Sequence, residues 1–152
     1  MCEYNFVSKF VACCTKSNAN ITIAKQPKGR NQSTYADCEI LYNNEIVKIE
    51  AKLLKDTRSN SANFFNLLGE VMATDKKQGL LQSQGKNLKI YSAILIPYHS
   101  KSVFDGLWKK NISKITGNNY CSNFNVKYLF AYDINQQKIY VHLYDSIKNN
   151  WS

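Results

Sequence analysis

Apolar and polar positions alternate most regularly between residues 35 and 53. Ala36, Cys38, Ile40, Val47, Ile49 and Ala51 fall on one side of the pattern, and Tyr35, Asp37, Glu39, Leu41, Ile46, Lys48, Glu50 and Lys52 on the other. A period of two belongs to a β-strand with one buried face. The stretch therefore predicts two strands joined at Asn43-Asn44, since Asn tolerates the positive φ of a tight hairpin turn. A two-residue loop fixes the register: Leu41 faces Ile46, Glu39 faces Lys48, Asp37 faces Glu50 and Tyr35 faces Lys52. The first face is expected in the core, and the second at chemistry or water.

Periodicity predicts the other elements. Phe6, Val7, Phe10, Val11 and Cys14 recur at helical spacing over residues 3–14, and residues 21–24 read as a short strand. A polar connection ends in Ser59, Asn60 and Ser61, any of which can cap a second helix running to about Lys77. Its apolar stripe is Phe64, Phe65, Leu68, Val71 and Met72, leaving Glu70, Lys76 and Lys77 toward solvent. Residues 88–96 are nearly continuous in apolar and β-branched side chains, as in a strand buried on both faces. Ser100 or Ser102 caps a third helix with Val103, Phe104, Leu107, Trp108, Ile112 and Ile115 inward; residues 117–125 read as a loop, and residues 126–132 and 138–144 as a second hairpin. The expected fold is one α/β domain with a mixed central sheet flanked by helices, its core at about 3–97 and a C-terminal helix and hairpin at about 100–148.

A chain of 152 residues with net charge +9 favours anionic partners, nucleic acid or an acidic membrane surface. The same chain is rich in Lys, Asn, Ile and Tyr with only Arg30 and Arg58 as arginines, a bias that an AT-rich genome also gives, so charge alone does not decide. The five cysteines, Cys2, Cys13, Cys14, Cys38 and Cys121, show no repeated CxxC spacing, which argues against a disulfide framework and a zinc site. The absence of a long apolar run and of a signal-type start predicts no membrane partner and a cytoplasmic location. His99 and His142 stand alone and read as structural.

The opposed acids carry the chemistry. Facing residues have Cβ atoms about 5 Å apart, where like charges destabilise. Asp37 and Glu50 thus need a cation, either the diagonal Lys52 or a bound metal. Mg²⁺ takes oxygen ligands at about 2.0–2.1 Å, often from one or two carboxylates plus substrate phosphate. Asp37, Glu50 and the Ala51 carbonyl can supply such a set. Lys52 leaves the same face about 6–7 Å further along the strand, where its ammonium can orient water or stabilise charge on phosphoryl oxygens. Glu3, Glu39, Glu70 and Gln78 are accessory candidates. The competing reading is a solvated ladder, with Glu39 paired to Lys48 and Asp37 diagonal to Lys52.

Asp37 followed by Glu50-Ala51-Lys52 resembles the D…(D/E)xK signature of the PD-(D/E)xK nucleases, the restriction-endonuclease-like superfamily. Ala36 stands where the motif name has Pro. The predicted order of helix, three strands, helix and strand is similar to that superfamily's αβββαβ core, with Asp37 on the second strand and Glu50-Ala51-Lys52 on the third. The resemblance implies a Mg²⁺-dependent nuclease, with Mn²⁺ able to substitute, that hydrolyses phosphodiester bonds as a DNA endonuclease. Asp37, Glu50 and Lys52 would be catalytic, and Asp37, Glu50 and Ala51 would hold the metal. Lys28, Arg30, Lys55, Arg58, Lys76 and Lys77 are candidates for nucleic-acid contact, and a homodimer would let two such sites cut both strands. The alternative is a non-catalytic nucleic-acid- or protein-binding domain of the same fold in a defence or mobile-element system.

Overall fold

Strands follow one another across a single sheet in chain order, from β1 (Ile21–Lys25) through β2 (Cys38–Tyr42), β3 (Glu45–Ala51), β4 (Ile90–Pro97), β5 (Val126–Asp133) and β6 (Lys138–Asp145) to the two-residue β7 (Asn150–Trp151). The computed structural model describes residues 1–17, 21–25, 36–55, 61–76 and 87–152. The β1-β2-β3 and β5-β6-β7 neighbours are antiparallel, while β3-β4 and β4-β5 are parallel. Parallel neighbours need crossovers. The first carries α2 (Ser61–Asp75); the second carries α3 (Lys101–Leu107), a π-helical stretch Trp108–Ile112, α4 (Ser113–Gly117) and α5 (Tyr120–Asn123).

The helices cover both faces. Phe6, Val7, Phe10, Val11 and Cys14 of α1 (Glu3–Ser17) pack on Cys38, Ile40, Val47, Ile49, Ala51, Ala93, Leu95, Tyr128 and Phe130. The next residues along β4, Ile94 and Ile96, face α2 and α3–α5 instead. This is a single mixed α/β domain with a mixed sheet between helices, as the sequence predicts. The C-terminal hairpin is part of the same sheet, because β5 pairs in parallel with the central β4. No helix among the described residues is long and apolar enough to cross a membrane.

The first hairpin has the predicted register, with Glu39 opposite Lys48 and Leu41 opposite Ile46. Asn43 and Asn44 both take positive φ, 53° and 60°. Ser100 caps α3, its hydroxyl accepting the Val103 N–H at 3.3 Å.

Several expectations are corrected. The polar hairpin face, expected at chemistry or water, is buried at Glu39, Lys48 and Glu50, the last 3% exposed, because α2 lies over these residues. The α2 stripe is rotated, with Phe64, Leu67, Leu68 and Val71 inside and Phe65 and Met72 outside at 57% and 41% exposure. Asp37 precedes β2 and is not in the ladder, because its side chain takes a ladder position itself. The central strand starts at Ile90, two residues after the expected Leu88, and the expected loop at 117–125 contains α5. Trp108, expected to face the core, does pack against it, half-buried and in ring contact with Phe104, His142 and Trp151.

Candidate metal centre

The hairpin brings its acids together where β2 and β3 diverge. Asp37 has left the ladder, and its Oδ2 accepts the N–H of Ala51 at 2.8 Å. A carboxylate thereby replaces a main-chain carbonyl as the last acceptor on that edge and is held against the end of β3. Glu50, one residue back on β3, points to the opposite face, under α2. There the Thr74 hydroxyl donates to its Oε1.

α2 supplies the third carboxylate. With Leu67 and Val71 turned inward, Glu70 lies at the edge of the buried stripe, and ligand oxygens of Asp37, Glu50 and Glu70 lie within 4.8 Å of one another. The Glu70 face, expected at solvent, thus reaches the site. Lys52 stands beside it with Nζ 3.8 Å from Glu70 Oε1, side chains 26% and 44% exposed. Lys76, just past the end of α2, is exposed.

The lysine segment is fixed from several directions. The Lys52 N–H donates to the Leu95 carbonyl at 3.1 Å, extending the parallel ladder past β3. The Leu53 N–H donates to Glu3 Oε2 at 3.4 Å, and His99 Nε2 donates to the Leu54 carbonyl at 2.8 Å. Glu3 therefore has two roles, an acid in the first turn of α1 and a brace on the Lys52 segment. Helices α1 and α2 and strands β3 and β4 meet around Glu3, Asp37, Glu50, Glu70 and Lys52.

The donor set suits a hard cation. All three groups offer carboxylate oxygen, the ligand type of Mg²⁺, and oxygens opposed across one such ion stand about 4.2 Å apart. Three carboxylates grouped beside the Lys52 ammonium form a setting to which a dication is complementary.

Of the other candidates, Ala51 ends β3, wholly buried, with its N–H on Asp37. Glu39 is buried opposite Lys48, and the three converging carboxylates do not include it. Lys55 is exposed just beyond Leu54. Tyr35, Lys28, Arg30, Arg58, Lys77 and Gln78 lie outside the described residues. Sequence reasoning missed Lys48 and Thr74 as contributors. The spacing of four from Glu70 to Thr74, and of two from Lys48 to Glu50, was the signal for a shared face.

No protein-family model and no curated protein matches the chain. Among solved structures it is similar to an XisH family protein from Nostoc punctiforme PCC 73102, with a TM-score of 0.53 at 14% identity over 88% of this chain and 95% of that one. That likeness is one of fold, and the architecture is compatible with the restriction-endonuclease-like fold.

Proposed function

We propose that the chain is a divalent-cation-dependent phosphodiester hydrolase, a nuclease acting on DNA as an endonuclease. The observation that carries this reading is the convergence of Asp37, Glu50 and Glu70 beside Lys52. The architecture and the net charge of +9 support it.

Asp37, Glu50 and Glu70 would hold Mg²⁺ or Mn²⁺, which when bound polarises a phosphoryl oxygen and lowers the pKa of a water. Asp37 keeps its place through the Ala51 N–H, so its carboxylate enters the reaction already oriented. Lys52 brings a positive charge to the rim, where it stabilises negative charge developing on the phosphoryl oxygens. Its main chain is bonded to β4, which fixes where the side chain leaves the strand. Exposed lysines attract the polyanion. Cutting both strands of a duplex concertedly calls for two chains, since the described residues of each present one such site.

One observation favours a second reading. Glu50 already has the Thr74 hydroxyl and Glu70 already has Lys52, so the cluster holds some internal compensation, as in a non-catalytic domain of the same fold that binds nucleic acid or protein. Supercoiled, linear and single-stranded DNA and a matched RNA, each incubated with Mg²⁺, Mn²⁺ or EDTA, separate the two. Cation-dependent cleavage of DNA supports the nuclease; salt-sensitive binding without cleavage under any condition supports the second reading.

A further inference from the structure

Thr74 is wholly buried in the last turn of α2, one turn beyond Glu70. Its hydroxyl donates to Glu50 Oε1, and its carbonyl accepts from Lys48 Nζ at 2.9 Å; the Asp75 carbonyl accepts from the same ammonium at 3.4 Å. Lys48 and Glu50 are two residues apart on β3 and share the face under α2. Strand and helix are therefore tied by three hydrogen bonds, one donated by Thr74 and two by Lys48.

The ties have separate physical reasons. Carbonyls in the last turn of a helix lack intrahelical donors, and a cation there also complements the helix dipole. Lys48 meets that need, and its own buried charge is compensated in return. The Thr74 hydroxyl serves no such purpose for the helix. It is spent on Glu50, a carboxylate of the cluster, and Glu70 stands one turn along the same helix face.

We infer that Thr74 is a positioning residue for the cation centre. Its hydroxyl holds one oxygen of Glu50 and orients that carboxylate toward Asp37 and Glu70, while Lys48 anchors the turn and so fixes the height of Glu70 above the sheet. This rests on the proposed cation site. Outer groups that orient metal ligands typically change affinity by about 10–100-fold when removed.

The test is Mn²⁺ binding to the full chain, read from the electron paramagnetic resonance signal of free Mn²⁺. Thr74→Val is expected to weaken binding by about 10–100-fold, and Thr74→Ser to bind like the wild type. A second pair, Thr74→Ser against Thr74→Ala, differs only in the hydroxyl and decides the matter if the valine variant does not fold. Equal affinity in hydroxyl-bearing and hydroxyl-free variants overturns the positioning role; if Asp37→Asn still loses binding, the cation site itself stands. A wild type that binds no Mn²⁺ overturns both.

Discussion

Asp37 and Ala51 are joined by a hydrogen bond of 2.8 Å in which a side-chain carboxylate accepts a main-chain N–H at the end of the β2–β3 ladder. The bond puts an acid at the site and closes the hairpin there. These roles respond differently to substitution. Asp37→Ala leaves a buried N–H without its acceptor, at a cost of about 1–3 kcal/mol. Asp37→Asn keeps an acceptor oxygen and removes one of three crowded negative charges. In urea unfolding with EDTA present, the asparagine variant is expected to be at least as stable as wild type and the alanine variant less stable. Equal losses in the two would contradict the closing role.

The rotation of α2 brings Glu70 to the site, and core substitutions read it out. Leu67→Ala removes a wholly buried side chain and is expected to cost about 2–5 kcal/mol. Phe65→Ser and Met72→Gln, on the exposed face, are expected to stay within about 0.5 kcal/mol of wild type. The reverse ranking in denaturant unfolding would turn the helix back and withdraw Glu70 from the cluster.

The hairpin register was legible because strict alternation and two turn-forming asparagines point the same way. The setting of α2 was not: the stripes Phe64-Phe65-Leu68-Val71-Met72 and Phe64-Leu67-Leu68-Val71 differ by a small rotation and both are apolar. Tertiary contacts selected the second, since it places Thr74 over Glu50 and the helix end over Lys48. Glu39 and Lys48 read as surface residues because charged side chains are rarely buried unless paired. Here they are opposed on adjacent strands beneath a helix. β7 is two residues long and leaves no periodic trace.

Glu70 tests the third carboxylate. Its pairing with Lys52 is partly solvent-exposed and contributes about 0–1 kcal/mol, so Glu70→Gln is expected to shift stability by less than about 1 kcal/mol. Cation affinity, measured by calorimetry with Mn²⁺, is expected to fall by at least about tenfold, as for a lost ligand or its orienting partner. Unchanged affinity would remove Glu70 from the centre.

His142 gives the fold a pH dependence away from the site. Burial pushes its imidazole below the ordinary value of 6.5 as it stacks on Phe104, ring centroids 5.1 Å apart. The unfolded chain therefore takes up the proton first as pH falls, and stability is lost below about 6.5 until the folded imidazole also titrates. Melting temperatures at pH 7.5 and 5.5 are expected to fall more for wild type than for His142→Phe. A pH-independent difference between the two would contradict this assignment.

The most direct measurement is conversion of supercoiled plasmid to nicked or linear DNA in Mg²⁺ by the wild type, Asp37→Ala and Lys52→Ala, side by side. Cleavage by the wild type, abolished by EDTA and lost in both variants, is the expected result. Cleavage that persists unchanged in both variants would contradict a site built on Asp37, Glu50, Glu70 and Lys52.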